Sequence, residues 1–439
     1  MLSYSLIITM KTKTIGMLCM GTVGDILPFI EIGKALLREG HRVRLSSHEA
    51  FRQIILRAGL EFYPIAGDPK TIGSMIANHK SKQIYLPTIQ TIKMATITIP
   101  KILISSYDAM IKIDPVSKRS FKPNVLIANP EMYGHIHIAE KLNIPLILVS
   151  YMPQKKTNAF PHPLSGFRMN RRYNKMSYTL MQILHNVSLK IIGINTFRKK
   201  IGLKSISNTM YNKVLDRIPK IYLCSKYLIP EPMDWTGGNQ NIIGSVVIPL
   251  QQDKHNPYNP PDDLKKFLEH DQKPIFVGFG SMAMKFKEKM QRIIVDAAVR
   301  SKQRVVLQNG WAGYTIQSPL PDCVIIVNKI PHRWLFERVA AVVHHGGHGT
   351  TMAGLYAGKP TCIIPFFGDQ YFWAQVITKH KVGITIPSTS LSTKNLAKAF
   401  QDLTSSKKMQ QSAQTMGRMM STENSISSFI EIFNSKYSQ

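Results

Sequence analysis

Apolar and polar residues follow one another along the chain in blocks typical of strands followed by helices. Thr14 to Met20 form a short apolar run that predicts a buried strand, and Ile26 to Arg38 have helical spacing that ends at Gly40. Strands that alternate with helices predict a parallel sheet with right-handed crossovers. The first half of the chain predicts strands at 14–20, 41–46, 60–65, 124–128 and 145–150, and helices at 26–38 and 50–58.

The same alternation restarts after a polar, proline-rich stretch at residues 253–261, which is typical of a linker. We therefore predict an α/β fold with two Rossmann-like, doubly wound domains that face each other across a cleft, with ligands at the carboxyl ends of both sheets. The predicted units are an N-terminal domain (1–250), a linker (251–262), a C-terminal domain (263–420) and a helix that packs back on the N-terminal domain (421–439). The second half predicts strands at 274–279, 304–308, 324–327, 340–344 and 361–365, and helices at 287–300, 350–357, 393–403 and 425–433.

Residues 68–122 interrupt the alternation of strands and helices with long stretches of mixed apolar and polar residues. The segment is too long for a simple loop, so we expect inserted helices. Its Ile, Met and Tyr side chains suit an apolar ligand pocket, and burial against the sheet explains them equally well.

Composition excludes several classes of protein. The 439 residues are 44% hydrophobic, which is ordinary for a globular chain and too high for disorder. No stretch approaches the roughly 20 apolar residues of a membrane-spanning helix, and the first ten residues lack the features of a signal peptide. The four cysteines form no CxxC pair, which argues against a disulfide framework or a zinc site and favours a cytoplasmic location.

The formal charge of +30 favours anionic partners, among them nucleic acid, phosphorylated small molecules and an acidic membrane surface. No Asp or Glu lies between Glu140 and Asp216, whereas Lys and Arg are frequent in residues 155–204. Two interpretations stay open for this stretch. It forms a solvated basic face, or it docks on anionic lipid headgroups, since apolar residues are interleaved with the charges.

Residues 342–351 (VVHHGGHGTT) carry the most informative motif. An apolar strand leads into glycines and then into the start of a helix. The glycines let a ligand approach the backbone, and the free N–H groups and dipole of a helix N-terminus favour an anion such as a diphosphate. His345 could donate a hydrogen bond to it. A tight turn with a buried histidine explains this motif alone equally well.

Residues 363–373 (IIPFFGDQYFW) follow at the end of the next strand. Asp369 and Gln370 stand among aromatic residues and supply the acceptor and donor groups that binding of sugar hydroxyls requires. Asp369 could also cap the helix that begins near Gln370, and both roles can hold together.

Residues 344–370 resemble the donor-binding signature of the family-one UDP-glycosyltransferases, in the branch that contains the sterol glucosyltransferases. That branch typically reads HHGGAGTT…AG-P…PFFGDQ-FW, and the match is broken by His348, which replaces an alanine. The glycine turn normally keeps a small side chain there, so the His348 imidazole could contact phosphate or sugar or point to solvent. Four further segments agree with the family in its order: 21–29 (GTVGDILPF), 160–163 (FPHP), 277–282 (VGFGSM) and 331–336 (PHRWLF).

The resemblance implies a GT-B fold in which the first domain binds the acceptor and the second binds a UDP-sugar. It implies donor contacts from Ser281, Ile330, His345, Gly347, His348, Gly349, Thr350, Asp369 and Gln370. Ser281 and His345 correspond to diphosphate contacts, Asp369 and Gln370 to the sugar clamp, and the backbone of 329–331 to the stretch that reads uracil. Trp311 and Trp334 could wall the base or belong to the core. No cofactor and no metal are expected, because the sequence has no DxD-type cluster.

Asp25 is the predicted catalytic residue. It ends a glycine turn after the first strand, at the carboxyl edge that faces the predicted cleft. Helix capping alone explains an aspartate there, but in this branch the matching residue resembles a general base. The resemblance therefore implies an inverting transfer of a hexose, glucose above all, to a hydroxyl of a lipophilic acceptor such as a sterol.

Other functions compete with this interpretation. Transferases of polyketides and other natural products share the same motifs. A catalytically inactive basic scaffold that binds membrane or nucleic acid fits the charge, but Asp25, His345, Asp369 and Gln370 would have no purpose in it, and no nucleic-acid-binding motif is present. A dehydrogenase is disfavoured because neither first strand precedes a full GxGxxG.

Overall fold

The computed structural model describes residues 12–71, 93–114, 116, 118–246, 258–280, 287–310, 319–328 and 330–437. The N-terminal half forms one seven-stranded parallel sheet with the strand order β3-β2-β1-β4-β5-β6-β7. Its strands are β1 Thr14–Leu18, β2 Arg42–His48, β3 Glu61–Ile65, β4 Val125–Ala128, β5 Leu146–Ser150, β6 Lys220–Tyr222 and β7 Gln240–Ile242.

Helices cover both faces of this sheet, which is why most of its strands are apolar on both sides. A cluster around Phe29 and Phe62 fills one face, and a cluster around Leu103 and Leu148 fills the other. The helices of this half are α1 Val23–Arg38, α2 Arg52–Arg57, α3 Ile99–Ile111, α4 His135–Leu142, α5 Asn174–Ile192, α6 Ile194–Lys200 and α7 Asn208–Arg217.

The C-terminal half forms a six-stranded parallel sheet with the order β10-β9-β8-β11-β12-β13. Its strands are β8 Ile275–Gly278, β9 Val305–Gln308, β10 Val324–Val327, β11 Ala341–His344, β12 Thr361–Ile363 and β13 Gly383–Thr385. Its helices are α8 Asp262–Leu268, α9 Lys287–Ser301, α10 His332–Phe336, α11 His348–Tyr356, α12 Gln370–Lys379, α13 Thr393–Ser405, α14 Lys407–Met420 and α15 Ser425–Tyr437.

The prediction of two doubly wound parallel sheets is confirmed, with differences at element ends. Helix α1 begins at Val23, three residues before the predicted start, and α11 begins at His348, two residues before it. The three-residue strands β6, β7 and β13 were not predicted. In the predicted helical insertion the structure describes α3, whereas residues 72–92 lie outside the described parts, as do 251–257 of the predicted linker.

The two halves pack against each other through a shared apolar cluster that contains Phe160 and Tyr222 from the first half and Trp373 from the second. Polar contacts reinforce it: the Gln375 side chain accepts a hydrogen bond from Met169 N at 2.6 Å. Helix α15 packs on α1, where its residues Phe429 and Phe433 join the core of the first sheet. Within the described residues, no helix is long and apolar enough to cross a membrane.

Candidate active site

All strands of a parallel sheet end at the same edge, so the segments after β1, β4 and β5 lie together in the first half. Those after β8, β11 and β12 lie together in the second half. Helices α1 and α11, which begin at these two edges, contact each other. The edges therefore face one cleft, the place where doubly wound folds bind their ligands.

Asp25 lies in the first turn of α1, where its carboxylate takes part in the helix cap. Its Oδ2 accepts hydrogen bonds from Thr22 N at 2.6 Å and from Thr22 Oγ1 at 3.1 Å. The turn requires glycine at 21, because φ is +142° and a Cβ there would lie 2.3 Å from Asp25 Oδ2. Capping thus fixes the carboxylate at the cleft and leaves Oδ1 outside the cap.

Burial raises the pKa of the Asp25 carboxyl above its ordinary value of 3.8, and the hydrogen bonds from Thr22 oppose that shift. The phenol of Tyr151, at the end of β5, donates a hydrogen bond to the backbone carbonyl of Asp25. The result is a fixed carboxylate that is more basic than an exposed aspartate, which suits a group that must accept a proton.

The glycine-rich loop after β11 holds His345 in a narrow slot. A Cβ on Gly347 would lie 2.6 Å from His345 Nε2, and a Cβ on Gly346, where φ is +95°, would lie 2.6 Å from Ile363. His344 Nδ1 accepts a hydrogen bond from Gly346 N at 3.0 Å and thereby fixes the turn. Glycine is therefore favoured at both positions, because a Cβ would collide with a neighbouring side chain.

His345 is neutral in this slot, because burial lowers its pKa to about 4, with a further effect of His332. Its Nδ1 is buried and has no hydrogen-bond partner among the described residues. Helix α11 begins beside it, and a Cβ on Gly349 would have nothing within 4 Å, so the helix N-terminus opens on free space next to Thr350. Backbone N–H groups and a neutral imidazole form a suitable site for a diphosphate.

The loop after β12 positions Asp369 and Gln370. Asp369 is the N-cap residue of α12, but its side chain makes no capping bond, and Oδ2 accepts one from Trp373 Nε1 at 2.9 Å. The Gln370 Oε1 accepts from Phe366 N at 2.7 Å and from Phe367 N at 3.2 Å, so this carbonyl shapes the loop. Asp369 therefore occupies the N-cap position, but the side-chain capping bond that the sequence offered as a possible role is not formed. The Asp369 carboxylate is bonded to the Trp373 indole instead.

His348 lies where the two halves meet, which the sequence did not indicate. Its ring centroid is 5.6 Å from that of Tyr151 in the first half and 5.3 Å from that of Trp373 in the second. Burial lowers the pKa of His348 to about 4, although the Leu223 backbone opposes the shift. The imidazole is therefore neutral, and its Nε2 is buried without a partner among the described residues.

A third carboxylate, Glu131, joins Asp25 and Asp369 at the cleft. Burial, together with the smaller effects of the Asp25 and Asp369 charges, raises the pKa of Glu131 to about 7. Burial also raises the pKa of Asp369 to about 6, with Asp25 as a second cause. The three carboxyl groups come from both halves of the chain, and the charge of Asp25 raises the pKa of the other two, so they lie near one site. Glu131 was not predicted from the sequence, because it is a single acidic residue that belongs to no recognisable motif.

For the remaining predicted site residues, the structure does not test the predicted ligand contacts. The Ile330 side chain packs in an apolar cluster of the second half, and the backbone role stays a prediction. The ring of Trp334 packs 5.2 Å from Tyr258 and lies under the Arg338 guanidinium, and base stacking by Trp334 stays a prediction. Ser281, Trp311 and Lys329 lie outside the described residues.

Among the residues that the structure describes, no group of three or more His, Cys, Asp or Glu side chains is arranged to hold a metal ion. The absence of a metal requirement stays a prediction.

Residues 15–161 match the glycosyltransferase family 28 N-terminal domain, and residues 292–431 match the erythromycin biosynthesis protein CIII-like C-terminal domain. A sterol 3-beta-glucosyltransferase of Arabidopsis thaliana is 38% identical over 422 residues, which are 95% of this chain and 64% of that protein. A second one from the same plant is 34% identical over 96% of this chain and 67% of its own length. The chain belongs to the sterol 3-beta-glucosyltransferase family. The resemblance inferred from the motifs is confirmed.

The family's members differ in length. A sterol 3-beta-glucosyltransferase of Komagataella phaffii is 32% identical over 94% of this chain, which covers 34% of that protein. This chain therefore spans about two thirds of the plant relatives and about one third of the yeast relative.

Solved structures agree on the fold. The glycosyltransferase of kitacinnamycin superposes with a TM-score of 0.70 at 16% identity, over 97% of this chain and 99% of that one. The calicheamicin glycosyltransferase CalG4 superposes with a TM-score of 0.67 at 15% identity, over 98% and 100%. Both are glycosyltransferases, and the predicted GT-B fold is confirmed.

Proposed function

We propose that this protein transfers glucose from UDP-glucose to the hydroxyl group of a sterol or a similar lipid alcohol, with inversion at the anomeric carbon. One observation carries the proposal: Asp25 from the first half and Asp369 from the second are connected across one cleft. Tyr151 donates to the Asp25 carbonyl, Trp373 donates to the Asp369 carboxylate, and the ring of His348 packs between Tyr151 and Trp373. A fixed basic carboxylate thus faces a sugar clamp, beside a loop and a helix N-terminus suited to a diphosphate.

In the proposed reaction, Asp25 takes the proton of the acceptor hydroxyl while the acceptor oxygen bonds to the anomeric carbon. The bond from that carbon to the diphosphate oxygen breaks at the same time, and the electron pair leaves with UDP. The N-terminus of α11 and the neutral His345 stabilise the departing charge. No metal ion takes part in this proposal, because these groups absorb the charge.

The acceptor is proposed from two independent features. The two plant relatives, which are 38% and 34% identical to this chain over the aligned residues, are named sterol 3-beta-glucosyltransferases. Around α3 the N-terminal domain exposes apolar side chains that suit a lipophilic acceptor: Ile97 is 47% exposed, Ile111 41% and Ile113 55%. Natural-product alcohols are the second candidate, because the structural neighbours are named as glycosyltransferases of kitacinnamycin and calicheamicin.

A transfer assay with several acceptors separates these candidates. The protein is incubated with UDP-[14C]glucose and either cholesterol, ergosterol, sitosterol or an aromatic polyketide aglycone, and the products are resolved by chromatography. We expect label in a sterol glucoside that β-glucosidase releases. Label in the polyketide alone would replace the sterol by the second candidate, and no label with any acceptor would contradict the proposed transfer.

We also propose that an anionic membrane surface presents the acceptor. Helix α5 exposes an apolar stripe: Met176 is 59% exposed, Ile183 56% and Val187 49%. The exposed residues Lys175 and Lys190 lie beside the stripe. An apolar stripe with basic flanks is what a helix needs to lie in a lipid interface, and sterols reside in membranes. Nucleic acid is not a proposed partner.

A further inference from the structure

Glu131 is held beside Asp25 by the topology of the sheet. Strand β4 runs next to β1, with Ala128 opposite Leu18, so the segments that follow the two strands are neighbours. The Asn129 side chain joins them: its Nδ2 donates to Met20 O at 2.7 Å, and its Oδ1 accepts from Met20 N at 3.2 Å. The next turn carries Glu131.

The Glu131 carboxyl is only partly compensated: its own backbone N–H stabilises the charged form, but one oxygen has no partner among the described residues. Its Oε2 is buried and has no hydrogen-bond partner in the described parts of the chain. Burial, together with the smaller effects of the negative charges of Asp25 and Asp369, raises its pKa to about 7. A buried carboxyl with one oxygen left without a partner is costly to the fold, so a role in the reaction is a better explanation than a structural one.

The other titratable groups that face Glu131 are also acids. They are the Cys19 thiol after β1, the Tyr151 phenol after β5 and the Tyr133 phenol on its own segment, and the charge of Glu131 raises the pKa of each. Asp25 belongs to α1 and Asp369 to the start of α12. Glu131 therefore responds to negative charge from both halves of the chain.

We propose that Glu131 is a second proton-binding carboxyl group of the transfer site, which controls how strongly Asp25 binds the proton of the acceptor. This inference rests on the proposed function. Glu131 forms no bond to either substrate. Its negative charge favours a proton on Asp25 and a positive charge on the sugar in the transition state, because like charges repel and opposite charges attract.

The proposal predicts the shape of the pH profile. Below about pH 7 Glu131 is protonated and neutral, and Asp25 is then a weaker base than it is beside a charged Glu131. As the pH rises through about 7, Glu131 loses its proton, Asp25 becomes more basic and kcat rises. Wild-type kcat should therefore rise in two steps: one where Asp25 itself ionises and another near neutral pH.

Glu131→Gln tests this shape because it keeps the size of the side chain and removes the charge. We expect its kcat at pH 8 to be about threefold to tenfold below wild type, with no step near pH 7. Glu131→Asp should restore the step, shifted along the pH axis. A Glu131→Gln profile that is a scaled copy of the wild-type profile would overturn the proposal, because a merely structural residue lowers kcat equally at every pH.

A second measurement does not depend on sugar transfer. Because burial raises the pKa of Glu131 from an ordinary 4.5, the folded state binds this proton more tightly than the unfolded state does. Its contribution to stability is present below about pH 4.5 and is lost as the pH rises through about 7. Wild type should therefore lose stability relative to Glu131→Gln across this window.

In the Asp25→Asn background the window should move to lower pH, because the charge that repels Glu131 is gone. If Asp25→Asn shifts the pH window but the wild-type protein transfers sugar to no acceptor, the proposed function would be contradicted. The coupling of the two carboxyl groups would still hold. A window that Asp25→Asn does not move would overturn the coupling, whatever the enzyme transfers.

Discussion

The imidazole ring of His348 packs against the phenol ring of Tyr151 with centroids 5.6 Å apart, and this contact joins the two halves of the chain. Tyr151 donates to the Asp25 carbonyl, and on the other side of His348 the Trp373 indole donates to Asp369. A continuous path of contacts thus connects the proposed base with the proposed sugar clamp. The residue at its centre is the one that departs from the family signature.

His348→Ala should loosen this junction. Removing a packed ring leaves a cavity, so we expect the free energy of unfolding to fall by about 1–3 kcal/mol, measured by urea denaturation. His270→Ala, at an exposed histidine, is the control and should change stability little. Equal stability of the two variants would show that the His348 ring contributes no packing.

Gly347 and Gly349 form a matched pair. Alanine at 347 would place a Cβ 2.6 Å from His345 Nε2, whereas alanine at 349 meets nothing within 4 Å. In the ligand-free protein we expect Gly347→Ala to lower the melting temperature, and Gly349→Ala, inside α11, to raise stability by about 0.5–1 kcal/mol. If Gly347→Ala proved as stable as Gly349→Ala, the slot around His345 would not be as narrow as described.

Asp369→Asn should separate sugar binding from nucleotide binding. The asparagine oxygen can still accept the Trp373 hydrogen bond, so the loop should keep its shape. The loss of a charged hydrogen bond to the sugar should lower kcat/KM for UDP-glucose by about tenfold to a hundredfold. The inhibition constant of UDP should stay near the wild-type value. An equal loss in UDP inhibition would place Asp369 at the nucleotide instead.

Membrane docking through α5 can be tested with Ile183→Gln combined with Val187→Gln. Because these side chains would enter the lipid interface, we expect at least a tenfold loss of binding to phosphatidylserine vesicles in co-sedimentation. Val299→Gln is the control, since Val299 is 55% exposed on α9 of the other half. Wild-type binding should weaken with salt. Vesicle binding that does not change with salt concentration, with acidic lipid content or with the α5 substitutions would contradict the proposal.

Much of the fold could be predicted from the sequence because buried parallel strands are continuous apolar runs, as Val324 to Val327 illustrate. The strands β6, β7 and β13 were missed because each has three residues and no continuous apolar run: β6 contains a buried lysine, Lys220, and β7 begins with Gln240 and Asn241. Helix α5 was missed for another reason: its apolar residues point partly to solvent, so its pattern does not describe a single buried face.

The candidate site was predictable where a local motif carries it and unpredictable where tertiary packing does. Asp25, His345 and Asp369 belong to compact motifs at strand ends. Glu131 reaches the cleft because β4 pairs with β1, more than a hundred residues away in sequence. The contacts of His348 with Tyr151 likewise depend on how the two halves pack, which no local pattern encodes.

Asp25→Asn tests the central claim most directly, because asparagine keeps the size of the side chain and an oxygen that can accept the hydrogen bonds of the helix cap. The measurement is single-turnover transfer from UDP-[14C]glucose to a sterol, with UDP-glucose affinity determined by calorimetry on the same preparation. We predict unchanged affinity and a transfer rate at least a hundredfold below wild type. Transfer near the wild-type rate with unchanged affinity would contradict Asp25 as the base.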